Sequence, residues 1–303
     1  EIPCGDRPPQ YNKRRPRGGS RWKGYAMNSD DRAGLEIAKE LDRIIAKKTG
    51  QSPVALVLFG ILAGAYIGFG AVAATTVTAF DGLPIAVSKF LAGTVFCVGL
   101  VLVIIPGSEL FTGNILLAAG IVDRKVGFIR VLRNWGFAYV GNFAGAVLLA
   151  LLVYGSGLLG TPEHPTPVGA AAAKVADAKI ALPFVQALLR GILCNILVCL
   201  AVIMAVSSRT MFGKILGIYF PIMVFVLSGY EHSIANMYFL PAGLLAEGRF
   251  LSGFGSMFTN LVPVTLGNIA GGLLVVVLHP ARARRLARLF RHTRPEGPPA
   301  EGK

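Results

Sequence analysis

The chain has 303 residues, 53% hydrophobic and only 15% charged, with 30 Lys and Arg against 16 Asp and Glu. Soluble domains carry about 25% charged residues, and a soluble chain of this length has a large surface to cover with polar groups. With several apolar runs of twenty or more residues in its middle, it is not an ordinary soluble enzyme, a disordered chain or a secreted disulfide scaffold. Long apolar runs imply a multi-spanning α-helical membrane protein. The 37 glycines suit close helix packing in lipid. The net charge of +14 does not point to nucleic acid, because most basic residues lie in two tails flanking the apolar part. Cys97, Cys194 and Cys199 fall inside apolar runs, and with Cys4 they read as reduced cysteines.

In chain order, residues 1–32 are basic and rich in Pro and Gly, the composition of a disordered tail. No cleavable signal pattern opens the chain, and because it begins with Glu1 its natural start is expected upstream. Residues 33–48 predict an amphipathic helix lying along the membrane interface, with Leu35, Ala38, Leu41, Ile44 and Ile45 on one face and Lys39, Arg43, Lys47 and Lys48 on the other. Six hydrophobic stretches follow, at about 53–79, 88–121, 128–153, 181–206, 212–245 and 259–278, within a transport domain of 49–280. The second and fifth are too long for one straight span. They are interrupted at Pro106-Gly107-Ser108-Glu109 and Gly229-Tyr230-Glu231-His232, and such interruptions point to a transport site. Residues 281–303 form a second basic tail. Of the 30 Lys and Arg, 25 fall on one side of a six-span threading, so both termini are expected in the cytoplasm.

The two interruptions share a frame. Gly107-Ser-Glu109 through Asn114-Ile115 matches Gly229-Tyr-Glu231 through Asn236-Met237 at an offset of 122. Gly141-Asn142-Phe-Ala-Gly145 matches Gly267-Asn268-Ile-Ala-Gly271 at an offset of 126. Each unit holds three spans, and an odd number forces the second copy to enter with opposite polarity, as an inverted repeat. Half-helices meeting near the midplane present free N–H groups and a positive dipole end, which suits a small anion. Glu109 and Glu231 are expected to be structural, capping the half-helix that follows each.

His232 is the histidine at an interruption, a costly residue in lipid that titrates near neutral pH. It reads as a donor to a passing substrate, with a buried structural histidine as the alternative. Thr112 offers a hydroxyl in the other interruption, and Asn195 an amide inside the fourth span. Asn142 and Asn268 read as helix-packing residues, and Arg190 as a structural one. Lys179 precedes the fourth span on the outer side, where a lysine either concentrates anions or snorkels. No spacing suggests a metal site, a cofactor or an enzymatic motif. An aquaporin-like pore for neutral solutes is the competing reading, although neither interruption contains Asn-Pro-Ala.

These segments, with Glu109-Leu-Phe-Thr-Gly-Asn114, Arg190 through Ala201 and especially Glu231-His-Ser-Ile-Ala-Asn-Met237, resemble the formate/nitrite transporter family of pentameric anion channels. The resemblance implies an all-α, aquaporin-like protomer with its own pore, five to a ring, in the cell membrane. Its mobile loop falls on residues 106–113. Its central pair falls on Thr112 and His232, its pore-lining asparagines on Asn195 and Asn268, and its entrance lysine on Lys179. Its constrictions fall on Phe96, Leu100, Leu110, Phe111, Val198 and Phe225, while Asn114 and Asn236 belong with the glutamates as structural residues. Formate, nitrite, hydrosulfide, acetate and lactate are carried within the family, and Thr112-Gly-Asn looks closer to the formate and nitrite branches than to the hydrosulfide branch.

Overall fold

The computed structural model describes residues 34–80 and 82–278, all helical apart from connections. The expectations for the tails at 1–32 and 281–303 lie outside the described residues. Gly34–Thr49 forms α1, Pro53–Thr78 α2 and Ile85–Ile104 α3. Phe111–Asn114 forms α4, linked by one 3₁₀ turn to α5 at Ala118–Val122. Phe128–Gly155 is α6, Pro167–Ile180 α7, Phe184–Ser207 α8, Met211–Leu227 α9, Ser233–Ala246 α10, Phe250–Gly253 α11 and Met257–Leu278 α12. The starts carry local signals. Ser52 and Thr166 accept a backbone N–H at the heads of α2 and α7, each followed by proline, and Thr210 does so for α9. The alanine-rich α7 lies between the third and fourth apolar stretches and was not expected.

Five helices among the described residues are long and apolar enough to cross a membrane, counting Phe250–Leu278 as one. Their outward faces carry large apolar side chains such as Leu58, Phe69, Leu148, Leu152 and Leu266, all exposed. Helices that are apolar all round belong in lipid.

The core rests on two helix pairs, α2 with α6 and α8 with α12, drawn to backbone contact by glycine. A Cβ at Gly64 would overlap the Asn142 carbonyl, and one at Gly145 the Ile61 carbonyl. In the other pair, one at Gly267 would overlap the Leu188 carbonyl and one at Gly271 the Ile192 carbonyl. Where the two pairs meet, Tyr139 on α6 and Thr265 on α12 share a hydroxyl hydrogen bond of 3.0 Å.

Both predicted interruptions are non-helical. α3 ends at Ile104, Gly107 turns at φ +91° and the Ser108 N–H reaches back to the Val103 carbonyl at 2.9 Å. α9 ends at Leu227, Gly229 turns at φ +69° and the Tyr230 N–H reaches the Phe225 carbonyl at 3.0 Å. A left-handed glycine followed by a six-to-one bond is a Schellman stop. Nothing lies within 4 Å of a Cβ built at either glycine, so backbone angle, not space, requires glycine there.

Gly145→Val is expected to abolish recovery of monodisperse protein, because backbone oxygen cannot move aside. Gly136→Ala, on the exposed side of the same helix with open space around it, should behave as the parent. Size-exclusion profiles after detergent extraction check both.

Candidate functional site

Each interruption leaves backbone groups without helical partners in a stretch that is buried in the protein, from Ser108 to Thr112 and from Glu231 to Ser233. One asparagine meets this need in each half. Asn142 Oδ1 accepts the N–H of Phe111, the first residue of α4, at 2.9 Å. Its amide nitrogen donates to the carbonyls of Gly60 and Glu109 at 2.8 and 2.9 Å. Asn268 repeats this arrangement. Its Oδ1 accepts the N–H of Ser233, and its nitrogen donates to Gly191 and Glu231 at 2.8 and 3.0 Å. These asparagines, with His232 at the head of α10, and not the glutamates, cap the helices after the interruptions, which corrects the expectation for Glu109 and Glu231.

The glutamates anchor polar clusters instead. Glu109 accepts from the Asn114 amide at 2.7 Å and pairs with the Lys48 ammonium at 3.0 Å. Lys48 also donates to the Ser108 carbonyl and Asn114 Oδ1. Asn134 accepts from the Asn114 amide and donates to the Lys48 carbonyl. In the other half, Glu231 accepts from the Asn236 amide at 2.6 Å and takes the Lys179 ammonium on both oxygens, at 3.0 and 2.9 Å. Asn260 accepts from the Asn236 amide and donates to the Lys179 carbonyl. One difference separates the clusters. Lys48 reaches Asn114 Oδ1, whereas Asn236 Oδ1 has no partner among the described residues.

Between the clusters lie Thr112 and His232, both buried, with Thr112 Oγ1 2.8 Å from His232 Nε2. His232 Nδ1 accepts the backbone N–H of Ala235 at 3.1 Å. A nitrogen that accepts carries no proton, so in the neutral ring the proton sits on Nε2 and points to the Thr112 oxygen. Adding a second proton would set two donors against each other at Nδ1. His232 is therefore built as a neutral donor. Phe225 packs 5.9 Å from the imidazole and meets Phe96 edge-on at 5.5 Å.

Two cavities flank this centre. The first, about 290 Å³, is bordered by Lys48, Glu109, Asn114, Leu100 and Leu110. The second, about 210 Å³, is bordered by Lys179, Glu231, Asn236, Phe96, Phe225 and His232. Two lysine–glutamate–asparagine clusters thus face a buried donor pair from opposite sides, behind apolar side chains. The profile of the formate/nitrite transporter family matches residues 35–281. The chain belongs to that family.

Two relatives show the extent of the likeness. A probable formate transporter of Methanothermobacter thermautotrophicus is 40% identical over 267 residues, covering 82% of this chain and 96% of that protein. The formate channel FocA of Escherichia coli K12 is 34% identical over 263 residues, covering 80% and 90%. A solved pentameric formate channel with formate bound superposes with a TM-score of 0.65 at 34% identity, covering 78% and 98%. With its apolar helices, this family member is a multi-pass membrane protein.

The structure brings His232, Leu110, Phe96, Leu100 and Phe225 to the cavity walls, with Thr112 behind them on His232 and bordering neither cavity. Asn195 and Asn268 border neither cavity. Asn195 donates to the backbone carbonyls of Thr112 and Asn268, and so holds the site's frame rather than its lining. Phe111 and Val198 also border neither; Phe111 packs on Tyr139 at 4.9 Å and on Trp135, whose indole N–H donates to the Asn114 carbonyl. Lys179 is not a free entrance lysine, because its charge is spent on Glu231. Lys48, Asn134 and Asn260 were missed, and Asn142 was read as packing alone. The spacing within this chain's own repeat carries the signal for all four. Lys48 precedes Gly60 by twelve residues as Lys179 precedes Gly191, and the asparagine pairs 134/142 and 260/268 are each eight apart.

Removing one partner of a buried ion pair strands the other charge and costs about 3–5 kcal/mol, whereas removing both is far milder. Lys179→Met should therefore lower the thermal midpoint of the purified protein more than the double variant Lys179→Met/Glu231→Gln. Light-scattering or fluorescence melting compares the two.

Proposed function

We propose that the chain carries small monovalent anions of weak acids across the cell membrane, formate foremost and nitrite second. The observation that carries this reading is the buried Nε2–H of His232 held on Thr112 Oγ1 between the two lysine-bearing cavities. A bare carboxylate cannot cross the apolar walls cheaply, since desolvating an ion costs several kcal/mol even after relaxation. The ammonium of each cluster eases the anion into a cavity, a proton neutralises it there, and the neutral acid passes the apolar side chains. The proton is taken from the bulk solution and released again with the anion on the far side; it does not come from His232, whose Nδ1 is committed to the Ala235 N–H. His232 and Thr112 orient the acid by hydrogen bonding as it passes. The formate-carrying relatives support formate.

The same reading threads the chain six times, as an inverted repeat of three plus three. α3 with α4–α5 forms one interrupted crossing and α9 with α10 another. The first cavity borders the end of α3 and the start of α9, at Val103, Ile104 and Lys214. The second borders the start of α3 and the end of α9, at Lys89, Ala92 and Val226. The two helices therefore run in opposite senses, as inversion requires. The basic bias places both termini, including the tails and α1, in the cytoplasm. The pentameric channel neighbour makes a pentamer, with one pore per protomer, the assembly of choice.

Vesicles loaded with purified protein test this directly. Formate or nitrite influx should rise as the outside is acidified, since each unit of pH raises the neutral fraction about tenfold. Glycerol should not enter above background. Formate flux indifferent to pH, or glycerol flux equal to it, would sink the reading.

Phe225→Ala and Leu110→Ala remove bulk that faces a cavity. Both variants should purify like the parent and carry lactate faster relative to formate, by about tenfold. Unstable variants with an unchanged lactate-to-formate ratio would show that these side chains only pack the core.

A further inference from the structure

We infer that Lys89, and not Lys179, supplies the field that gathers anions at the mouth of the second cavity. This rests on the transport reading above. Lys179 lies within 3.0 Å of both carboxylate oxygens of Glu231 and is mostly buried. At a distance the two opposite charges cancel, leaving a short-range dipole that acts only on an ion already inside. The charged side chains bordering this cavity are Lys89, Lys179 and Glu231, with His232 neutral. Their sum is one positive charge, and it resides on Lys89.

Lys89 suits the role in position as well as sign. It stands in the second turn of α3, at the cavity's edge, and is exposed. No hydrogen bond or ion pair ties it down among the described residues. Its ammonium stays hydrated, so it attracts an anion without a prior desolvation cost. Such attraction acts on encounter and falls off over about 8 Å at physiological ionic strength. The family resemblance places the attracting charge on Lys179, but the geometry divides the labour. Lys89 collects the ion from solution, and the Lys179–Glu231 cluster receives it. At the first cavity Lys214, in the first turn of α9, stands beside the Lys48–Glu109 pair, with Lys47 and Glu40 also at the border.

The test measures formate influx against concentration in vesicles, at low and at high ionic strength, for the parent, Lys89→Gln, Lys89→Arg and Lys174→Gln. Lys174 is an exposed lysine on α7 that borders no cavity, and so controls for general surface charge. Lys89→Gln should raise the half-saturating formate concentration about threefold at low salt, with maximal flux unchanged. The difference should vanish at high salt. Lys89→Arg and Lys174→Gln should follow the parent under both conditions. Equality of Lys89→Gln and parent at low salt would overturn the inference, as would a defect that high salt leaves untouched. Should Lys89→Gln not assemble, Lys89→Met removes the same charge and is read the same way. A parent that carries neither formate nor nitrite would overturn the transport reading, and this inference with it. A parent that carries formate beside a salt-insensitive Lys89→Gln overturns this inference alone.

Discussion

Everything at the centre of this protein depends on satisfying the backbone where two apolar helices, α3 and α9, stop short in its interior. Unpaired N–H and C=O groups buried there would cost several kcal/mol each, since no water replaces the lost hydrogen bonds. Asn142 and Asn268 meet that demand by joining three backbone groups apiece, two carbonyls and one N–H, through one amide. Each asparagine reaches from one helix pair into the interruption beside it. The interruption therefore holds a defined shape, and Thr112 and His232 meet at 2.8 Å because of it.

The charged clusters form a second layer around the same need. Glu109 and Glu231 each receive an amide and an ammonium, so each buried carboxylate is both paired and hydrogen-bonded. Buried charge is tolerable only on those terms. The clusters leave a cation near each cavity that is balanced at long range and available at short range. Each ion pair lets the interior stay close to neutral.

Much of this was legible in the sequence. Apolar length located the membrane helices, and glycine followed by glutamate inside two overlong stretches located both interruptions. The cost of a histidine in lipid singled out His232, and the resemblance to the formate/nitrite transporter family holds across residues 35–281. What stayed hidden depends on contacts distant in the chain. Helical periodicity places Lys48 with Lys39, Arg43 and Lys47 on a polar face, but its partner Glu109 lies 61 residues on, and the ammonium turns inward to meet it. An acid just before a helix reads as a cap, yet the first N–H of α4 and of α10 is accepted by an asparagine from α6 or α12, and α10 has a second cap in His232. The fourteen-residue α7 is too short and too alanine-rich to stand out as a span. Only the recurrence of spacings between halves hinted at these partners.

The glycine contacts have a further consequence. Gly141 and Gly145 bracket Asn142, and Gly267 and Gly271 bracket Asn268, so the residues that set the helix spacing also set the reach of each clamp. Backbone already touches backbone along these seams. Close-packed protein is nearly incompressible, so lateral pressure from the surrounding lipid has no slack to take up there. A bilayer of different thickness is met by tilting or by its own local deformation. The clamped distances at the centre are thereby insulated from the composition of the membrane that holds them.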